Sequence, residues 1–386
     1  MTQRQGAATG AAGEARPPRR GVVLYRPGAD GYAGSHERAT HLDIARRLAA
    51  LKGYEAAAEH DPARVHPGPV YLLPCDTIVG LEAAGALGVR DEHDLFGGVV
   101  PHAFVATKAI THPLAGADAA APEGWSAEMG RRVSGVVLAG HTAFSRNDAR
   151  RAGRRLLESG PVRVKRVSES GGRGQRVVHD PAGLEAALDA VDPAELSRCG
   201  LVLEEDLAEA ATFSVGQVRV AGLVASYCGT QRLTPDNGGA PVYGGSALTV
   251  ARGGFDALLA LDLPEAMRLA VAQARAYDGA AAAVYAGFFA SRRNYDVVQG
   301  VDHHGRQRSG VLEQSWRVGG ASGAEIAALE RFRADPALPA LRAASVEVYG
   351  VGAPVPPGAA VSFRGHDDRV GFITKYTLVE PHANAR

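Results

Sequence analysis

The segment from Pro161 to Val178 constrains this chain more than any other, because it reads as a strand, a lysine, a glycine-rich turn and a second strand. Val162, Val164 and Val167 suit an extended backbone, and Lys165 can reach a phosphate. The small residues between Ser168 and Gly174 let backbone N–H groups close over that phosphate. Within the turn, Ser170, Gly171, Gly172 and Gly174 are the expected phosphate contacts. Glycine-rich turns also make plain hairpins, so the segment has to be weighed with the rest of the chain.

A second segment, Gly310 to Gly320, is an apolar strand that places a carboxylate, a hydroxyl and a guanidinium at alternate positions, Glu313, Ser315 and Arg317. A period of two puts all three on one face. Upstream, Val297 to Asp302 reads as the partner strand and His303 to Arg306 as a turn, which predicts Asp302 beside Glu313 in a hairpin. An ion pair would explain Glu313 with Arg317, but not a second carboxylate. Hard oxygen ligands of this kind suit Mg²⁺, which takes one or two carboxylates together with substrate phosphates. Asp302, Glu313 and Ser315 are therefore the candidate metal residues.

In this order, these segments resemble the ATP-grasp superfamily in its biotin carboxylase and carboxylate-amine ligase branch, and point to a bacterial family inside it. The resemblance spans about residues 125 to 325. It implies that Lys165 and its turn are the second nucleotide lysine and phosphate loop, and that Lys108 is the first nucleotide lysine. Leu201 to Leu207 resembles the strand and hinge that hold adenine, with Glu204, Glu205 and Leu207 as contacts. The pattern Glu-x-Asn-x-Arg stands here as Glu313, Ser315 and Arg317; serine for asparagine is a weaker oxygen donor and weakens the case for a second metal. Cys228 to Arg232 occupies the place of basic substrate contacts, so Arg232 joins Arg317 as a candidate catalytic residue. Leu233-Thr234-Pro235-Asp236 replaces the histidine and lysine that follow in biotin carboxylases, which argues against bicarbonate-dependent carboxylation.

The resemblance implies ATP and Mg²⁺ as cofactors and activation of a small-molecule carboxylate as an acyl phosphate, captured by an amine. A kinase-like or carboxylase-like use of the same fold, and a nucleotide-binding regulatory protein without turnover, are the alternatives. The implied fold is α/β (α+β): a Rossmann-like domain over 21–118, an ATP-grasp domain over 119–334 with a lid at about 160–205, and a small β-rich segment over 335–386. Residues 1–20, rich in Ala, Gly, Arg and Pro, read as a disordered tail.

Composition narrows the partners. The 42 basic residues balance 42 acidic ones, which gives no support for nucleic acid or an anionic membrane. No run approaches the roughly 18 apolar residues of a membrane span, and the first residues lack a secretory core, so the cytoplasm is the expected location. A homodimer is compatible with the class. Three scattered cysteines do not make a disulfide framework. Helices are expected from Ser35 to Leu51, from Ser145 or Asn147 to Glu158, over 180–190 and 264–278, and from Gly323 to Ala334. Strands are expected at 21–25, 70–74 and 136–138, and as one long run over 215–226.

Overall fold

The computed structural model describes residues 21–26, 34–60, 69–168 and 174–382. The expected tail over 1–20 lies outside them.

Gly21–Tyr25 carries almost no polar surface, and it forms the middle strand of a parallel sheet between Glu55–Glu59 and Val70–Pro74. A strand covered on both faces has no need of alternation, and Val22, Val23 and Leu24 are all buried. The expected helix spans His36–Lys52. Ser35 Oγ accepts the Arg38 N–H at 3.1 Å, and Gly53, at φ 66°, ends the helix in the left-handed region. Ile44, Leu48 and Leu51 pack with Val22, Leu24 and Leu73. The strands end together at Tyr25 and Pro74, so Arg26, Cys75 and Asp76 emerge at the carboxyl edge, where parallel α/β sheets place ligands.

The lysine hairpin is present as expected. Val162–Arg166 pairs with Gln175–Val178 and, on its other side, with Leu201–Glu205, which continues to Gly140–Ala143. Val162, Val164, Leu201 and Leu203 point to the core under the Arg146–Leu157 and Pro181–Asp189 helices. The opposite face therefore carries Arg163, Lys165 and Glu204. The strand expected at 136–138 falls instead at Gly140–Ala143.

A second, eight-stranded antiparallel sheet runs in the order Gln307–Ser315, Arg292–Val301, Ala208–Val220, Leu223–Pro235, Pro241–Arg252, Ala340–Tyr349, Gly371–Pro381, Ala360–Asp367. The long strand expected over 215–226 is two strands, folded back at Ala221 and Gly222 with φ of 53° and 77°. A two-residue hairpin turn needs positive φ at both positions. Alanine does not advertise it. The β-rich segment over 335–386 supplies three strands of this same sheet. The helix Glu265–Val284 extends beyond the expected end at Asp278, with Val271, Ala274 and Tyr277 buried on one face. The architecture is mixed α/β with several sheets, the fold class that the resemblance implies.

Candidate active site

Lys165 and Glu204 stand diagonally on neighbouring strands, Arg163 being the direct partner of Glu204, and their side chains form an ion pair 3 % or less exposed. The second Glu204 oxygen lies 3.0 Å from His112 Nε2. Burial alone would raise the Glu204 carboxyl, but Lys165 and His112 outweigh it and hold it at about 2. His112 reaches this position across Gly140. A Cβ there would stand 2.7 Å from His112 Cε1 and 2.8 Å from the Leu203 carbonyl, so only glycine leaves room. His112 Nδ1 is buried without a hydrogen-bond partner among the described residues.

Four residues earlier, Lys108 Nζ lies 2.8 Å from Glu313 Oε2 on the other sheet. The turn Lys108–Thr111 is fastened there by Gln314, whose amide donates to the Val105 and Thr107 carbonyls at 2.9 and 2.7 Å. Alternation explains the division of labour: Gln314 points into the core and Glu313 away from it. Tyr277 donates to Gln314 at 3.1 Å and also meets Thr111 at 3.1 Å. The turn is tied equally to the lysine sheet, where Thr142 Oγ1 donates to the Ala109 carbonyl at 2.6 Å. The segment from Lys108 to His112 thus joins the two sheets, with one ion pair on each.

Glu313 is opposite Asp296 in register, not Asp302. Asp296 is half-buried at the cavity wall and accepts from Gln231 at 3.0 Å, Asn294 at 3.1 Å and Ser214 at 3.3 Å. Burial, then the Glu313 charge, pushes its carboxyl above the usual range, against those hydrogen bonds. Asp302 belongs to the turn. Its carboxylate accepts the His304 and Arg306 N–H groups at 2.8 and 2.9 Å and pairs with Arg306 at 2.8 Å. Six residues from Asp296 along the strand, it stands roughly 20 Å from the Glu313 level. The turn falls at 303–306, so counting back from it, with one residue added for the bulge after Asp296, identifies the true partner.

Asp296, Glu313, Ser315 and Arg317 line one cavity of about 890 Å³, as the alternate spacing predicts. Ser315 Oγ accepts from the buried Arg292 at 3.3 Å, and Arg292 is itself paired with Glu325 at 2.7 Å. Arg317 donates to the Val318 carbonyl at 2.9 Å and approaches Asp76 at 3.8 Å, linking this sheet to the parallel domain. The far wall comes from the C-terminal strands, where Lys375 pairs with Glu347 at 2.8 Å. The tip of the 223–252 hairpin roofs the cavity: Asn237 donates to the Val370 and Phe372 carbonyls at 2.6 and 3.1 Å.

Other expected residues are placed differently. Arg232 is exposed and donates to the Gly244 carbonyl at 3.1 Å, while its neighbour Gln231 faces the cavity. Glu205 accepts from Arg308 at 2.9 Å and from Ala139 N–H at 3.0 Å, and Leu207 is buried with Leu138 and Val298. Both oxygens of Glu204 are engaged, by Lys165 and His112. Gly174, φ 64°, closes the lysine hairpin by accepting the Arg166 N–H at 3.0 Å. Ser170, Gly171 and Gly172 lie outside the described residues. His112, Asp296, Asn294 and Gln231 were not singled out in the sequence; the mirror position of Glu313 about the 303–306 turn was the one available signal.

Solved structures similar to this chain include biotin carboxylase from Campylobacter jejuni, at 11 % identity and TM-score 0.47, over 94 % of this chain and 87 % of that one. The ADP complex of N5-carboxyaminoimidazole synthetase from Staphylococcus aureus matches at 11 % and 0.47, over 96 % and 95 %. D-alanyl-alanine synthetase A from Vibrio cholerae matches at 10 % and 0.46, over 78 % and 89 %. No curated protein matches. The family model described as a protein of unknown function (DUF3182) matches residues 24–377, a span that holds the whole site from Arg26 to Lys375, and the chain belongs to that family.

Proposed function

We propose that the protein is an ATP-dependent ligase of the ATP-grasp type, which activates a small-molecule carboxylate as an acyl phosphate for capture by an amine. The observation that carries this reading is the pair of buried lysines, Lys108 and Lys165, held at the junction of two sheets by one short connecting segment. Each is paired with a carboxylate. In the nucleotide complex the lysines would turn from Glu313 and Glu204 to the phosphates. Glu204 is thereby released to accept from the base, and His112 Nδ1, partnerless now, gains a polar group within reach.

The residues present fit a divalent cation. Asp296 and Glu313 face each other with a like charge, and Ser315 adds a hydroxyl beside them. Among the described residues no three acidic, histidine or cysteine groups stand together as a complete cage. Mg²⁺ needs none, because substrate phosphates and water complete its shell. Asp296 takes the role expected of Asp302. When bound, the ion would offset charge on the phosphoryl oxygens. Arg317, at the cavity end of the same strand, holds the carboxylate that attacks the γ-phosphorus. In-line transfer needs this positioning and charge neutralisation more than covalent help.

Thermal unfolding with and without MgATP tests the reading. Ligand at a hundred times its Kd stabilises by about 2.7 kcal/mol, a rise of several degrees. Lys165→Ala and Glu313→Gln should lose that rise. No rise in the wild type at millimolar MgATP would remove the nucleotide site. Once binding is established, ADP release that depends on both an acid and an amine separates a ligase from a kinase.

A further inference from the structure

The mechanism above leaves a thiol and an imidazole in the cavity unused. Cys75 follows the last residue of the Val70–Pro74 strand, and its N–H donates to the Tyr25 carbonyl at 2.9 Å, which fixes it at the carboxyl edge of the parallel sheet. Its Sγ lies 3.5 Å from Nδ1 of His41 on the His36–Lys52 helix. Both side chains line the cavity that holds Glu313 and Arg317, and the adjacent Asp76 approaches Arg317. Of the three cysteines this one alone faces the cavity. Cys228 is in the core, where burial pushes its thiol to about 12, and Cys199 is half-buried at a helix end.

We propose that Cys75, hydrogen-bonded to His41, is a nucleophilic thiol that takes the acyl group from the acyl phosphate and holds it as a thioester until the amine removes it. This rests on the ligase reading. The electrostatics agree with the geometry. Burial first, then the charges of Lys375, Arg317 and Arg26, lowers His41 to about 3, so its ring is neutral and positions the sulfur without taking its proton.

The bonds balance without any further reactant. Sulfur attacks the acyl carbon, the C–S bond forms, and the C–O bond to phosphorus breaks with its electron pair leaving on phosphate. The thiol proton leaves with the departing phosphate, and the neutral His41 ring beside the sulfur is unchanged at the end. The amine nitrogen then attacks the thioester, C–N forms, C–S breaks, and a proton from the amine returns to sulfur.

The test uses the full chain and acetyl phosphate as the probe, read by intact mass and peptide mapping. One hydroxylamine-labile acetyl group is expected on Cys75, none in Cys75→Ala, and acetylation slower by about a hundredfold in His41→Ala, which loses the contact that positions the sulfur. In parallel, iodoacetamide should label Cys75 faster than Cys199, although Cys199 is the more exposed. Acetylation confined to other residues, or Cys75 no faster than Cys199 with iodoacetamide, overturns the proposal. Neither probe requires ATP. A silent thiol in protein that still shows the MgATP rise sinks this inference alone, whereas loss of that rise with a labelled thiol sinks the ligase reading and leaves an acyl-accepting cysteine. An unchanged unfolding midpoint and MgATP rise in Cys75→Ala establishes that the variant is folded.

Discussion

Glu204 is buried between a lysine and a histidine, and its charge is therefore tied to the folded state. Its carboxyl falls from the ordinary 4.5 to about 2, so the stabilisation is complete above the unfolded value and disappears as pH drops toward 2. Its size is on the order of 3 kcal/mol. Urea unfolding followed from pH 7 to pH 3 should show this loss, and Glu204→Gln should flatten it while lowering stability at pH 7, since Lys165 is left buried without its partner. If both proteins show the same slope, Glu204 is not the group responsible. Gly140 offers a second check. Gly140→Ala should cost about 1–3 kcal/mol and move His112 from Glu204, visible as a changed chemical shift of the His112 ring. Lys165, Glu313 and Arg317 were legible in the sequence because strand alternation and local composition mark them. Asp296 was not, because the choice between it and Asp302 depends on where a turn closes and on one bulged residue.

The element boundaries turn on the same kind of detail. Ala221 holds φ 53°, which costs an L-residue about 1 kcal/mol, and no asparagine or aspartate marks the turn. Ala221→Asn should raise the unfolding midpoint by relieving that strain, and a lowered midpoint would contradict the hairpin. On the next strand, Gly229 meets the neighbouring backbone so closely that an added Cβ would lie 1.9 Å from the Ala247 carbonyl. Gly229→Ala should destabilise by about 3 kcal/mol or abolish folding, and a wild-type urea midpoint would refute the register. Strongly patterned elements were readable: the Ser35-capped helix, the lysine hairpin and the helix begun at Glu265. Sequence around 221 reads as continuous strand because both flanks are apolar and the turn residues are small.

At the scale of the whole molecule, the last third of the large sheet comes from Ala340–Tyr349, Gly371–Pro381 and Ala360–Asp367, which also bring Lys375 and Glu347 to the cavity. Ending the chain before residue 340 should yield insoluble or non-cooperatively unfolding protein, because the Pro241–Arg252 strand would lose its outer partner and the Ser322–Ala334 helix its cover. A soluble, cooperative product would make these strands an independent appendage. Composition could place them as β but not join them to a sheet begun more than a hundred residues earlier. The connection between Lys108 and His112 acts over the same distances. Lys108 fastens one end to Glu313 on the large sheet and His112 fastens the other to Glu204 on the lysine sheet, so any change in the angle between the sheets draws on both contacts together. A hinge built this way cannot loosen on one side only: a strain that reaches Glu313 through Lys108 reaches Glu204 through His112 as well.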